Sequence, residues 1–280
     1  MNSTGDSAGG ARIVSENKSG NVLERIVEAR RALVAYRKRV LPEAVLRLGA
    51  EKAEPIRDFP GALTRDSLNV IAELKKASPS RGVLRAEFDA ATLAAQLEQA
   101  GAAALSVLTE EEFFQGDLNY MRQARKRVAL PVLRKDFILD AWQIWESRAT
   151  NADSFLLIAA ALAQEALCDF LALGRELGME PMVEVHSRGE LDRALEAGAR
   201  VIGVNNRDLR TLEVRIETSL ELIEFIPDDR IAVAESGLRS HEDLQELRAA
   251  GFDAFLIGEH LMTQPDAGLA LGALLKPAAG

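Results

Sequence analysis

A chain of 280 residues, 48% hydrophobic and 28% charged, has the composition of a globular protein with a sizeable core, arranged as one large domain or two small ones. Its net charge of −9 and its lack of a basic run exclude the usual electrostatics of nucleic-acid binding and disfavour an anionic membrane surface, although a few local cations still allow an anionic small molecule. Cys168 is the single cysteine, and His186, His241 and His260 are the only histidines. That inventory points away from disulfides and from metal sites, and toward a reducing cytoplasm.

Residues 1–20 are rich in Gly, Ser and Asn and have no apolar centre, so they read as a disordered tail and not as a signal peptide or anchor. Residues 21–41 carry Val22, Ile26, Ala29, Leu33 and Tyr36 at helical spacing, and Pro42 stops the pattern. A weaker helical segment follows over 42–63, with a Pro-Gly turn expected at Pro60-Gly61. Residues 21–68 thus form an N-terminal helical extension on a larger body over 69–280.

From residue 69 a rhythm begins. Short apolar runs fall at 70–74, 104–108, 131–133, 155–159, 181–185, 201–204, 231–234 and 254–257. Helical patterns lie between them, among them 90–99, 142–150, 164–177, 188–197, 219–225 and 241–250. Gly101, Gly178, Gly198 and Gly251 stand where helix C-caps are needed. Strand and helix alternating in this way over roughly 200 residues predict an α/β fold, a single (β/α)8 TIM barrel with an N-terminal helical extension. The competing doubly wound sheet has neither a GxGxxG nor a P-loop to support it.

Six of the runs end in polar residues, always at the C-terminal side where barrel enzymes build their sites. They are Glu73-Leu74-Lys75, Arg134-Lys135-Asp136, Glu184 with His186, the stretch Asn205-Asn206-Arg207-Asp208, Glu235-Ser236-Gly237 and Gly258-Glu259. Residues two apart share a strand face, so Glu73 and Lys75 project together, and Lys135, Glu184, Asn205 and Glu235 fall on the inward parity. Alone, the Glu73–Lys75 pair reads equally as a rim ion pair, Asn205-Asn206 as a turn and Lys135-Asp136 as a solvated strand end. Converging on one rim, they read as an active site.

The last two strands add an anion site. Ser236-Gly237 and Gly258-Glu259 each precede helical sequence, where backbone N–H groups and the helix dipole favour phosphate. Ser78 and Arg81, in the turn Ser78-Pro79-Ser80-Arg81-Gly82 after the first strand, are positioned to close over it as a lid.

The motifs IAELKKASPSRG (71–82), LSVLTEEEFFQGDL (105–118), PVLRKDFILDAWQIWESRA (131–149), MVEVHS (182–187), IGVNNRDL (202–209), AESGL (234–238) and LIGEHLM (256–262) occur in this order. Together they closely resemble indole-3-glycerol phosphate synthase, with coverage from about Asn21 to Met262. The resemblance implies a carbon–carbon carboxy-lyase of tryptophan biosynthesis. Such an enzyme closes, decarboxylates and dehydrates 1-(2-carboxyphenylamino)-1-deoxyribulose 5-phosphate without metal or cofactor. It implies Lys135 as the general acid of ring closure, Lys75 as partner of the substrate carboxylate and a proton donor in dehydration, and Glu184 and Glu73 as candidate bases. Glu235 and Asn205 would orient the lysines and the ribulose hydroxyls.

Phosphate would fall to Ser78, Ser236, Gly237, Gly258 and Glu259, the anthranilate ring to Phe114 and Phe137, and the carboxylate to Arg207. Two positions depart from the usual pattern. Ala234 stands where many relatives have Ser, on the face away from Glu235. Glu259 stands where small residues are common, so only its backbone N–H carries over. A monofunctional, monomeric, cytoplasmic enzyme is expected, with no nucleic-acid or membrane partner. The alternatives are a phosphoribosylanthranilate isomerase-type barrel, which would not need two lysines and two glutamates, and a non-catalytic phosphate-ligand binding barrel.

Overall fold

The apolar runs form strands because both of their faces are buried. In the computed structural model, which describes residues 20–276, they are β1 Asn69–Leu74, β2 Ala104–Leu108, β3 Val132–Lys135, β4 Ser154–Ile158, β5 Met182–Val185, β6 Val201–Asn205, β7 Ile231–Glu235 and β8 Ala254–Ile257. All pair in parallel with their neighbours, and β8 returns to β1 with Ala254 opposite Asn69, closing the barrel. Alternate residues divide between two cores. Ile71, Leu133, Leu156, Met182, Val233 and Leu256 fill the interior, while Val70, Val132, Phe155, Val183, Ile202 and Phe255 pack outward under the helices.

Three strands run past the apolar stretches that announce them. β3 takes in Arg134 and Lys135, β6 ends on Asn205 and β7 on Glu235, with Asn205 and Glu235 opposite each other in the ladder. Ladder bonds use the backbone alone, so a polar side chain at a strand end does not stop pairing. Pro131, which has no N–H to donate, stays outside β3.

Helices Ala90–Ala100, Leu118–Arg127, Ala141–Ala149, Gln164–Glu176, Arg188–Glu196, Glu217–Ile223 and His241–Ala250 connect successive strands, and Glu259–Thr263 and Ala267–Leu275 follow the last. Gly101, Gly178, Gly198 and Gly251 all have positive φ, as their C-cap positions require. The Ser78–Gly82 turn is the tip of a small antiparallel ribbon in which Ser78 faces Gly82. Among the described residues no helix is long and apolar enough to cross a membrane.

The extension grips the barrel at both ends. Helix α1 (Val22–Val40) starts at a capping box made by Asn21 and Glu24. Its buried face is Leu23, Ile26, Arg30 and Val34, and Tyr36 is 57% exposed, so the stripe expected through Ala29, Leu33 and Tyr36 is shifted around the helix. The shift occurs because Arg30, a cation, belongs to the buried face and finds a carboxylate there. Helix α2 (Glu43–Glu51) follows. The turn expected at Pro60-Gly61 is instead the opening of helix α3 (Phe59–Leu63), where a proline's missing N–H costs nothing and the Asp58 side chain accepts from Gly61 N. Phe59 and Leu63 of α3 close the bottom of the interior core, and Leu23 and Ile26 of α1 join the same core at the mouth. The tail expected over residues 1–20 lies, apart from Gly20, outside the described residues.

Candidate active site

Lys135 projects from the end of β3 into the mouth of the barrel, donating to Glu184 Oε2 at 2.7 Å and to Glu235 Oε2 at 3.1 Å. Burial alone would push the ammonium toward the neutral amine, but Glu184, Glu235 and Glu73 outweigh it and raise the pKa above that of an ordinary lysine. The same burial pushes the Glu235 carboxyl up to about 8 against the pull of Lys135. Glu235 Oε1 has no hydrogen-bond partner among the described residues. The ammonium is therefore clamped between two carboxyl groups, one of them with spare accepting capacity.

Two glycines make room for these carboxylates. A Cβ on Gly203 would run into Glu235 Oε1 and Met182, and one on Gly258 would run into the Glu73 side chain. Gly203→Ala is thus expected to displace Glu235 and loosen its hold on Lys135. Turnover should fall by about tenfold or more, and overpacking should cost about 1–3 kcal/mol of stability. Steady-state kinetics with urea unfolding checks both, and an unaffected turnover would show that Glu235 does not need this position.

Asn205 couples the two halves of the site. Its Nδ2 donates to Glu184 Oε1 at 3.0 Å, while its Oδ1 accepts from Ser236 Oγ at 2.8 Å and from the Arg207 backbone N–H at 3.0 Å. On the opposite wall Lys75 Nζ lies 2.6 Å from Glu73 Oε1, as residues two apart on one strand face require. Lys75 itself falls just beyond β1, where the chain leaves the ladder.

Ser236 and Gly237 both adopt left-handed backbone, φ 66° and 85°. For serine that conformation is strained, and such strain collects at sites where the backbone must be aimed. Gly258 and Glu259 open the short helix after β8. Ser78, next to the turn of the ribbon, is buried. Phe114 and Phe137 form the aromatic wall, ring centroids 6.2 Å apart at 37°. The Phe114 carbonyl also accepts from Ala77 N at 3.2 Å, which ties the ribbon after β1 to the loop after β2.

Every residue nominated from the sequence lines one cavity of about 300 Å³: Glu73, Lys75, Lys135, Glu184, Asn205, Glu235, Ser78, Ser236, Gly237, Gly258, Glu259, Phe114, Phe137 and Arg207. The apolar lining from outside the strand ends carries no mark in the sequence. Val22 and Ile26 come from α1, and Leu212 and Val214 from the loop after β6. No local motif distinguishes these from packing residues.

Asp136, beside Lys135, is not a solvated strand end, the reading the pair allows when taken alone. Asp136 is 1% exposed and accepts from Arg30 at 2.5 Å, Thr109 Oγ1 at 2.6 Å, Arg134 at 3.0 Å and its neighbour Phe137 N at 2.8 Å. Arg134, fully buried on the outer face of β3, also reaches Glu146 Oε2 at 2.7 Å and Ser147 Oγ at 3.1 Å. This network pins α1 beside the strand that carries Lys135. A legible signal was present: Arg30 occupies an i+4 position between Ile26 and Val34.

A family model described as indole-3-glycerol phosphate synthase matches residues 23–274. The chain is 56% identical over 218 residues to the indole-3-glycerol phosphate synthase of Chloroherpeton thalassium, covering 76% of this chain and 84% of that one. It is 48% identical over 264 residues to the enzyme of that name from Variovorax paradoxus, covering 91% and 99%. Among solved structures, 3-hexulose-6-phosphate synthase from Salmonella typhimurium superposes with a TM-score of 0.60 at 13% identity, over 74% of this chain and 96% of that one. The N-acetylmannosamine-6-phosphate 2-epimerase of Clostridium perfringens does so at 0.59 and 14%, over 76% and 94%. Those two likenesses bear on the fold alone.

Proposed function

The chain belongs to the indole-3-glycerol phosphate synthase family, and from that premise we propose how its residues divide the reaction. The enzyme is a decarboxylating lyase of tryptophan biosynthesis that acts on a phosphorylated small molecule. It converts 1-(2-carboxyphenylamino)-1-deoxyribulose 5-phosphate to indole-3-glycerol phosphate, carbon dioxide and water.

Ring closure needs a proton on the ketone oxygen as the carboxylate-bearing aromatic carbon attacks it. Lys135 is the acid, because its ammonium is kept charged in a buried position by Glu184 and Glu235. That clamped cation at the mouth is the observation that carries the assignment. Lys75 binds the substrate carboxylate before carbon dioxide leaves, and afterwards donates to the departing hydroxyl. Glu184 and Glu73, each bonded to one of the lysines, are the bases that collect the proton lost in dehydration. Asn205 keeps Glu184 aimed. Phe114 and Phe137 hold the anthranilate ring, and Arg207 steers its carboxylate. Ser78, Ser236 and the backbone of Gly237, Gly258 and Glu259 hold the phosphate, the left-handed turn at Ser236-Gly237 being a backbone shape suited to an anion.

In this reading residues 69–280 are the catalytic barrel, residues 21–68 the extension that completes its mouth, and the working form a cytoplasmic monomer. Incubating purified protein with the substrate should produce the fluorescence of the indole product, and no product would overturn the reading.

A further inference from the structure

Glu259 is the one acidic side chain among the residues assigned to phosphate, and the reaction gives it no task. Its carboxylate is held by two guanidinium groups, with Arg207 3.1 Å from Oε2 and Arg81 3.7 Å from Oε1. Arg207 also reaches Ser80 Oγ at 3.4 Å and the Leu212 carbonyl at 3.1 Å. These bonds join the loops after β1, β6 and β8 across one side of the mouth. A fixed negative charge is unfavourable beside a subsite for a phosphate dianion, so the pairing needs a reason.

We propose that Glu259 is a built-in competitor for the substrate's anionic groups, holding Arg81 until the phosphate takes it over and Arg207 until the carboxylate does. The proposal rests on the phosphate and carboxylate readings given above. Carboxylate and phosphate present the same oxygen-anion chemistry to a guanidinium fork, and phosphate carries the greater charge. Its arrival therefore exchanges one partner for another, and the released carboxylate swings away. The backbone of the residue need not move in that exchange. Gly258 is fixed by the close approach of Glu73, and the Glu259 carbonyl accepts from Thr263 Oγ1 at 2.9 Å. The affinity lost in breaking the pair makes phosphate binding weaker than the subsite would otherwise allow, and the returning carboxylate helps to expel the phosphorylated product.

The test uses the full chain and inorganic phosphate as a competitive inhibitor of product formation. Glu259→Gln keeps the size and removes the charge. Phosphate inhibition should tighten by about three- to tenfold, with KM for the substrate falling in the same direction and the effect shrinking at high salt. Glu246→Gln, an exposed position on the helix His241–Ala250, makes the same change in net charge and should behave as wild type. If phosphate does not compete with substrate in the wild-type enzyme, the phosphate reading fails and the proposal with it. If phosphate competes but Glu259→Gln leaves it unchanged or weakens it, the proposal alone is overturned.

Discussion

Lys135→Ala should lower kcat by roughly 10²–10⁴-fold, the range expected for removing a positioned general acid. The loss should fall on kcat and kcat/KM together, because the proton is passed only as the ring closes. Folding should be little affected. Lys135 lies at the open mouth of the barrel, and the carboxylates it leaves behind, Glu184 and Glu235, can take up protons or water. Glu235 is already pushed upward by burial, so it accepts a proton readily once the ammonium has gone. A melting temperature within a few degrees of wild type, with turnover near background, is the expected pair of results. Near-normal turnover would remove Lys135 as the acid and shift attention to Lys75, the other ammonium on the rim. Added small alkylammonium ions give a second readout. Partial recovery of turnover would tie the loss to the missing proton donor and not to a collapsed cavity.

The parts of this molecule that the sequence displays are those governed by short-range pattern. Strands buried on both faces read as uninterrupted apolar runs, and glycines at positive φ mark where helices end. The polar rim was legible for a similar reason. A period of two, counted from apolar neighbours, selects Lys135 over Arg134 and Asp136, and Glu235 over Ala234. Contacts set by distant partners were not legible. Arg134-Lys135-Asp136 looks like a solvated run until Arg30, 106 positions earlier in the chain, is brought against it. Pro60-Gly61 looks like a turn until Asp58 is seen to cap a helix there. Nothing near Glu259 in the sequence announces its ion pairs with Arg81 and Arg207, which come from loops far along the chain.

The buried network gives the second large prediction. Asp136→Asn should cost about 3–5 kcal/mol, because it leaves two guanidinium groups buried around a neutral amide. Arg134 would keep Glu146. Arg30 would be left with only Glu111 at 3.7 Å, since its Nε and one terminal nitrogen make no hydrogen bond even now. The pH dependence distinguishes this loss from simple misfit. Burial opposes ionisation of Asp136, but Arg30 and Arg134 prevail and hold its pKa below the usual carboxylate range. A carboxylate depressed in the folded state contributes stability that is present above its unfolded value, about 3.9, and is lost as pH falls through the folded one. Wild-type stability should therefore decline with acid below about pH 5, and Asp136→Asn should flatten that decline while starting lower. Urea unfolding at several pH values measures both effects. A loss under about 1 kcal/mol, or an acid limb as steep as wild type, would mean that Asp136 is not the anchor. Because the same carboxylate fixes Phe137 N and joins α1 to β3, the variant should also lose activity before it unfolds. The network that holds the extension to the barrel is then the one that holds Lys135 and the aromatic wall in register.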